Sequence, residues 1–501
     1  MGIVQRQSLW LTVISYGGAV LGVINKGLLF TNFLSTDQVG LTNVLTTVAI
    51  LYAQVAALGI VNVGMRFFPY FENREKKHNG FLFWGNCIIL GGFLITMVVF
   101  LLFKPYVVKN FRDQSPMLVE YYSYLIPLAF AMLYFQFFDS YLRAILKTIV
   151  ATFLNEIFVR VLQTICVSLY AFKLIDFHQF VILYIISYFA LTMILVVYMV
   201  YLKQFHIMPV KSKLFKRMFR AIIVYGAFTV LSSLGAAILK SIDSIMVAGM
   251  LDLSKAGIYT VIFTLPAIIT MPYRSIQRTT YPLIARFWKK RDTKSIYELY
   301  HRTTLITMII GGILLIGMWT NLGFIFSFMP KAYSDGSYVF LFLAIATYVD
   351  MVTGLNGVIL VTSKKYKYDF WFLMLLVVLT IVMNLVFIPL YGITGAAMAT
   401  SLSLIIYNIA RSLFVQYFFK MQPFDLKCFW VLVITLLTWL STLLFPHIEN
   451  KYINLIVCSA IITILYGGAV LLLKLSPDVN NLVYKYTKLK FLLPKESITS
   501  N

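Results

Sequence analysis

The sequence predicts an all-α polytopic membrane protein of about 14 transmembrane helices, built as two six-helix lobes plus two C-terminal helices. Three observations predict it. Of 501 residues, 60% are apolar and only 12% are charged, where a soluble domain carries about 45–50% and about 25%. At about 20 apolar residues per span, that content supplies about 14 helices. The basic residues, finally, alternate between rich and poor loops along the chain. A water-soluble fold and a disordered chain are excluded. A transmembrane β-barrel is disfavoured, because alternating apolar and polar strand positions would dilute the hydrophobicity.

The spans follow in order. Span 1, 9–33, carries Gly17, Gly18, Gly22 and Gly27, which make its helix easy to bend. Span 2 covers 39–65 and ends at Arg66; span 3 covers 81–103, between Lys77 and Lys104. Spans 4, 5 and 6 read as 117–142, 149–172 and 178–202, closed by Arg143, Lys173 and Lys203. The basic stretch Lys203–Arg220 separates them from span 7, 221–249. Span 8, 256–284, contains Pro266 and Pro272, which should distort it. Spans 9 and 10, at 303–327 and 338–362, run from Arg302 to Lys364. Spans 11 and 12, 368–389 and 393–419, meet at a turn expected over Pro389 and Gly392. Gly395 and Ala399 lie at the small-xxx-small spacing that lets span 12 approach a neighbour closely. Spans 13 and 14 cover 428–446 and 452–473.

Charge tests this count. The termini and the loops after even-numbered spans hold 30 basic residues. The loops after odd-numbered spans hold 7, namely Lys104, Lys109, Arg112, Lys173, Lys255, Lys331 and Lys451. The rich side is cytoplasmic by the positive-inside rule, so both termini are expected inside. The net charge of +23 therefore reports orientation, and no nucleic-acid partner is expected. No cleavable signal is expected, since the first apolar stretch runs into a full-length span. Cys87, Cys166, Cys428 and Cys458 lie in apolar runs without ligand spacing, and the five histidines are far apart. Neither metal site nor cofactor is expected.

Nine charged residues are read as intramembrane: Lys26, Arg160, Lys240, Arg274 and Arg278, with Asp139, Glu156, Asp243 and Asp350, whereas Arg411 is counted among the 30 on the cytoplasmic side. Each costs at least about 2.5–3.5 kcal/mol at a helix centre and is expected to face a cavity or a partner. Glu156 and Arg160 sit at i,i+4, Asp139 and Arg143 likewise, and Lys240 and Asp243 at i,i+3. For each the alternative is a neutralised structural pair, and for Lys26 a side chain snorkelling to the interface.

An internal repeat is also legible. At an offset of 217, Leu34, Gly40, Val44 and Thr47 of Phe33–Thr47 align with Leu251, Gly257, Val261 and Thr264 of Met250–Thr264. Six spans separate the two segments, so the repeat is parallel. The expected organisation is an N-lobe at 1–204, a basic cytoplasmic linker at 205–220 and a C-lobe at 221–420. Spans 13 and 14 follow at 421–476, then a cytoplasmic tail at 477–501.

The passage Asn384-Leu-Val-Phe-Ile-Pro389-Leu-Tyr-Gly392-Ile-Thr-Gly395-Ala-Ala-Met-Ala-Thr400, with the turn Thr36–Leu41, resembles the multidrug/oligosaccharidyl-lipid/polysaccharide exporter superfamily in its Wzx-like polysaccharide flippase branch. The resemblance implies a MATE-like fold and a transporter, with no catalytic residues. The implied cargo is undecaprenyl-pyrophosphate-linked oligosaccharide, moved across the bacterial inner membrane by alternating access for O-antigen, capsule or exopolysaccharide assembly. It implies membrane lipids and polysaccharide assembly proteins as partners of a monomeric chain. Lys26, Arg160, Lys240, Arg274 and Arg278 become candidate contacts for the pyrophosphate. Asp243, Asn384 and Thr400 match positions that bind sodium in some relatives, and Asp350 is a further candidate for a sodium ion or a proton. A cation-coupled multidrug exporter, or an exporter of another lipid-linked precursor, is the alternative within the superfamily; the surplus of basic over acidic residues in the spans speaks against the multidrug reading. A membrane glycosyltransferase or polymerase needs clustered acids or a large extramembrane domain, and no loop exceeds about 20 residues.

Overall fold

The computed structural model describes residues 2–73, 77–145, 147–206, 213–445 and 448–487. These are helical throughout, without a strand among the described residues. Among the described residues twelve helices are long and apolar enough to cross a membrane, and a bent pair, Ser233–Leu239 with Ser241–Met250, adds another. One of the twelve, Lys367–Phe419, runs 53 residues and divides at Gly392 into two halves that are each long enough to span. Fourteen spans result, in the predicted order. Two compact units partition the chain, Met1–Val261 and Ile262–Asn501. Span 7, the helix Lys213–Met250, starts inside the segment read as a linker and belongs with the first unit.

Within spans, the lipid-facing side is apolar and the packed side is where polar groups collect. Leu102, Val378 and Leu436 are largely exposed, while Thr42, Gln163, Asn356, Asn384 and Asn408 are buried. In a bilayer, contact with lipid tails leaves little hydrophobic drive between helices, so close backbone approach and hydrogen bonds hold them together.

Gly40 supplies the closest approach. A β-carbon there would stand 1.9 Å from the Leu253 carbonyl oxygen, and one on Gly257 would stand 2.2 Å from the Thr36 carbonyl oxygen. Ser254 donates to Thr36 Oγ1 at 2.6 Å, and Asn43 donates to Thr260 Oγ1 at 2.8 Å. Thus the two segments aligned at the 217-residue offset press directly on each other. Span 2 begins here, its first turn closed by a capping box in which Ser35 and Gln38 satisfy each other's backbone N–H groups.

Several helix breaks depart from the sequence reading. Span 2 stops at Ala56 and resumes as Ile60–Phe71, so its predicted continuity to residue 65 fails at Leu58–Gly59. Span 8 breaks at Pro266, whereas Pro272 lies inside the helix Ala267–Lys290. Pro389 likewise stays helical; Gly392 alone leaves the helix, at φ 60° and ψ −137°. Pro389 sits in the last turn before that break, where removing one N–H costs a single bond at a helix end. Gly395 closes the hairpin: a β-carbon would stand 1.9 Å from the Phe387 carbonyl oxygen, so the small residue of span 12 faces span 11.

Candidate functional site

Two of the predicted cations come together in the first unit. Span 1 contains a π-helical segment, Ile24–Leu29, around Lys26, and span 5 contains another, Leu154–Phe158, around Glu156. A π-turn inserts an extra residue and misaligns backbone bonds, and such insertions recur at functional sites. The mismatch is compensated by side chains: Asn25 Nδ2 donates to the Arg160 carbonyl at 2.7 Å, and Thr164 donates to Asn25 Oδ1 at 2.7 Å. Arg160 lies flat against Gly22, where a β-carbon would meet the guanidinium carbon at 3.1 Å. On Gly18 a β-carbon would meet the Glu156 carbonyl oxygen at 2.7 Å. The glycines of span 1 therefore make room for the arginine, a role their bending alone did not suggest.

Arg160 pairs with Glu156 at 3.2 Å, as the i,i+4 spacing predicts. Lys26 lies in the π-segment of span 1 next to Asn25, whose amide bonds the Arg160 carbonyl. Arg160 Nη1 is nevertheless buried without a hydrogen-bond partner among the described residues. A buried guanidinium with a spare donor has the chemistry to accept an anion's oxygen. Beside it runs a polar string across spans 2, 5 and 6: Thr46 to Tyr184 at 3.0 Å, Tyr184 to Tyr188 at 3.5 Å, and Gln163 to Tyr188 at 3.2 Å.

The other predicted residues divide between the units. Asp243, buried in span 7, accepts a hydrogen bond from Tyr259 at 2.7 Å. The side chain of Lys240, its expected partner, lies outside the described residues, as does that of Arg278. Asp139 pairs with Arg143 as expected. Asn384 and Thr400, in the second unit, are both buried on opposite sides of the Gly392 kink. Among the described residues no three His, Cys, Asp or Glu side chains gather to hold a metal ion.

Arg274 and Asp350 line one cavity of about 710 Å³ in the second unit, with Tyr273, Gln277, Asn356, Tyr407 and Arg411. Span 10 breaks beside it: the helix Ser337–Val352 ends, Gly354 takes φ 65°, and Asn356–Thr362 continues. Carbonyls freed by the break are taken up by tyrosines, Tyr300 donating to Thr353 at 3.1 Å and Tyr273 to Gly354 at 2.6 Å. Broken helices occur at membrane depth only where such partners or a cavity satisfy them.

Arg411 is the residue that sequence reasoning misplaced, having counted it as a cytoplasmic loop charge. It is buried within span 12, ion-paired with Asp369 of span 11 at 3.0 Å and donating to the Tyr407 hydroxyl at 2.5 Å. Its guanidinium also covers the Tyr407 ring at 4.8 Å. One signal was available: Arg411 precedes the apolar stretch Ser412–Phe419, so it cannot lie beyond the helix end.

Comparison with known proteins agrees with this architecture. The family described as polysaccharide biosynthesis protein matches residues 4–288. No curated protein shows significant sequence similarity. Among solved structures, the lipid II flippase MurJ in an inward closed conformation is similar at TM-score 0.72 and 13% identity, over 95% of this chain and 99% of that one. An inward-facing multidrug resistance MATE family transporter of the MOP superfamily matches at 0.61 and 13%, over 80% and 94%. The Vibrio cholerae MATE transporter VcmN matches at 0.54 and 12%, over 83% and 98%. At these identities the likeness is one of fold.

Proposed function

From the chain's membership of the polysaccharide biosynthesis protein family, in the flippase branch of the multidrug/oligosaccharidyl-lipid/polysaccharide superfamily, we propose that it flips undecaprenyl-pyrophosphate-linked oligosaccharide across the bacterial inner membrane. The observation that supports this reading is Arg160, paired with Glu156 at 3.2 Å yet keeping a buried Nη1 without a hydrogen-bond partner among the described residues, and tied through its carbonyl to Asn25 beside Lys26. A pyrophosphate cannot enter hydrocarbon unaccompanied, since an isolated buried charge costs tens of kcal/mol by Born solvation. Arg160 offers a planar fork to phosphate oxygens and Lys26 a compact point charge. The polyprenyl tail stays in lipid while the head group crosses. A cationic drug would be repelled by the same pair. Deleting the protein in its host is expected to leave lipid-linked oligosaccharide on the cytoplasmic leaflet; unchanged surface polysaccharide and no accumulation would oppose the proposal.

Alternating access requires the outer ends of spans 2 and 8 to part during the cycle. Thr36 and Ser254 mark that contact, their hydroxyls 2.6 Å apart. In a Cys87→Ser background, Thr36→Cys with Ser254→Cys is expected to cross-link under mild oxidant and to arrest transport, with reductant restoring it. The measurement is transport rate before and after oxidation. Full-rate transport by the cross-linked protein would mean that this contact is not a gate.

Asp243 is the coupling candidate. It is a buried carboxylate inside a span, bonded by Tyr259, and a buried intramembrane acid is the kind of group that takes a sodium ion or a proton. Asp243→Asn keeps the shape and the hydrogen bond but removes the charge. It is expected to abolish the dependence of transport on an imposed ion gradient while pyrophosphate binding persists. An unchanged gradient dependence would remove Asp243 from coupling.

A further inference from the structure

We propose that the 710 Å³ cavity of the second unit is a sugar-binding subsite, taking a pyranose residue of the oligosaccharide; this rests on the flippase reading above. The first argument is charge. Arg411 is matched by Asp369 at 3.0 Å, and Asp350 faces the same cavity as Arg274. Among the described residues the acids Asp350 and Asp369 match the bases Arg274 and Arg411, so the wall suits a neutral polar ligand.

The second argument is the kind of side chain. Gln277, Asn356 and Asp350 are planar groups that bond adjacent hydroxyls in pairs, with donors and acceptors both present. Tyr281, half exposed at the same wall, offers a ring with a polar tip, suited to the C–H face of a sugar. A pocket for a small molecule measures about 300–1,000 Å³, and this volume falls within that range.

The third argument is rigidity. The break in span 10 presents Asp350 and Asn356 from opposite sides, and Tyr273 and Tyr300 pin its carbonyls. Asn356 is further fixed by donating to Ser412 at 3.1 Å. Gly357 leaves the space that Arg411 fills, since a β-carbon there would stand 2.1 Å from Nη2. A wall fixed before the ligand arrives loses less freedom on binding.

The test uses the full-length protein in lipid nanodiscs, probed by saturation-transfer NMR with free glucose, galactose, rhamnose and N-acetylglucosamine, and separately by calorimetry with inorganic pyrophosphate. At least one sugar is expected to bind, and Tyr281→Ala is expected to weaken it about tenfold, the order of one lost aromatic contact. Val361→Trp, which fills the cavity from its rim without removing a polar partner, is expected to abolish the sugar signal. Both variants should bind pyrophosphate like the wild type. Absence of any sugar signal, or a signal indifferent to both variants, overturns the subsite while leaving the flippase reading intact. Sugar binding without pyrophosphate binding does the reverse.

Discussion

Arg160→Ala is expected to reduce transport about 10–150-fold, because a charge-assisted hydrogen bond to phosphate contributes about 1.5–3 kcal/mol. The substitution removes the buried Nη1 donor and leaves Glu156 without its partner. Arg160→Gln, which preserves volume over Gly18 and Gly22, separates the loss of charge from the loss of packing. Lys26→Ala is expected to fall in the same range, and Lys26→Arg to retain part of the activity, since charge persists while geometry changes. Lys294→Ala supplies the control: its partner Glu298 stands 4.0 Å away and both are exposed, a pair that contributes little. Transport rate per molecule of folded protein is the readout. If Lys26→Ala and Arg160→Ala transport like the wild type, the anion site has no part in the mechanism.

Arg411→Ala is expected to be the most destabilising single change in the second unit. Removing one member of a buried ion pair costs about 3–5 kcal/mol, because the survivor is left charged and unpaired. Asp369 keeps 31% of its side chain exposed, which moves the expectation to about 3 kcal/mol. Arg411→Ala also strips the Tyr407 hydroxyl and ring of their cation. Adding Asp369→Asn to Arg411→Ala is expected to recover part of the loss, since no lone carboxylate then remains. Thermal unfolding in detergent reads both. A double variant no more stable than Arg411→Ala would show that the ion pair is not what holds spans 11 and 12 together here.

The fold was legible because lipid imposes a single requirement, an apolar run of sufficient length. The predicted starts of spans 5 and 6, at 149 and 178, fall one residue from the observed starts at Thr148 and Phe177. The breaks were less legible. Pro266 breaks its helix and Pro272 does not, because only the first stands where the chain already turns. The π-segments at Lys26 and Glu156 left no trace in residue type. Site residues were legible one at a time and not as pairs. Glu156 and Arg160 lie a helical turn apart, so their pairing shows in the spacing. Asn25, beside Lys26, meets Arg160 from another span, and Asp369 meets Arg411 from another, and no local pattern encodes either encounter.

The most direct measurement reconstitutes the purified protein in vesicles containing radiolabelled undecaprenyl-pyrophosphate oligosaccharide and follows its exposure to an external glycosidase. Wild-type protein is expected to make the label in the inner leaflet accessible, faster under an imposed ion gradient, and the Lys26→Ala Arg160→Ala double variant is expected to leave it protected. Equal protection with wild-type protein and with empty vesicles, or equal flipping by the wild type and the double variant, would contradict the account.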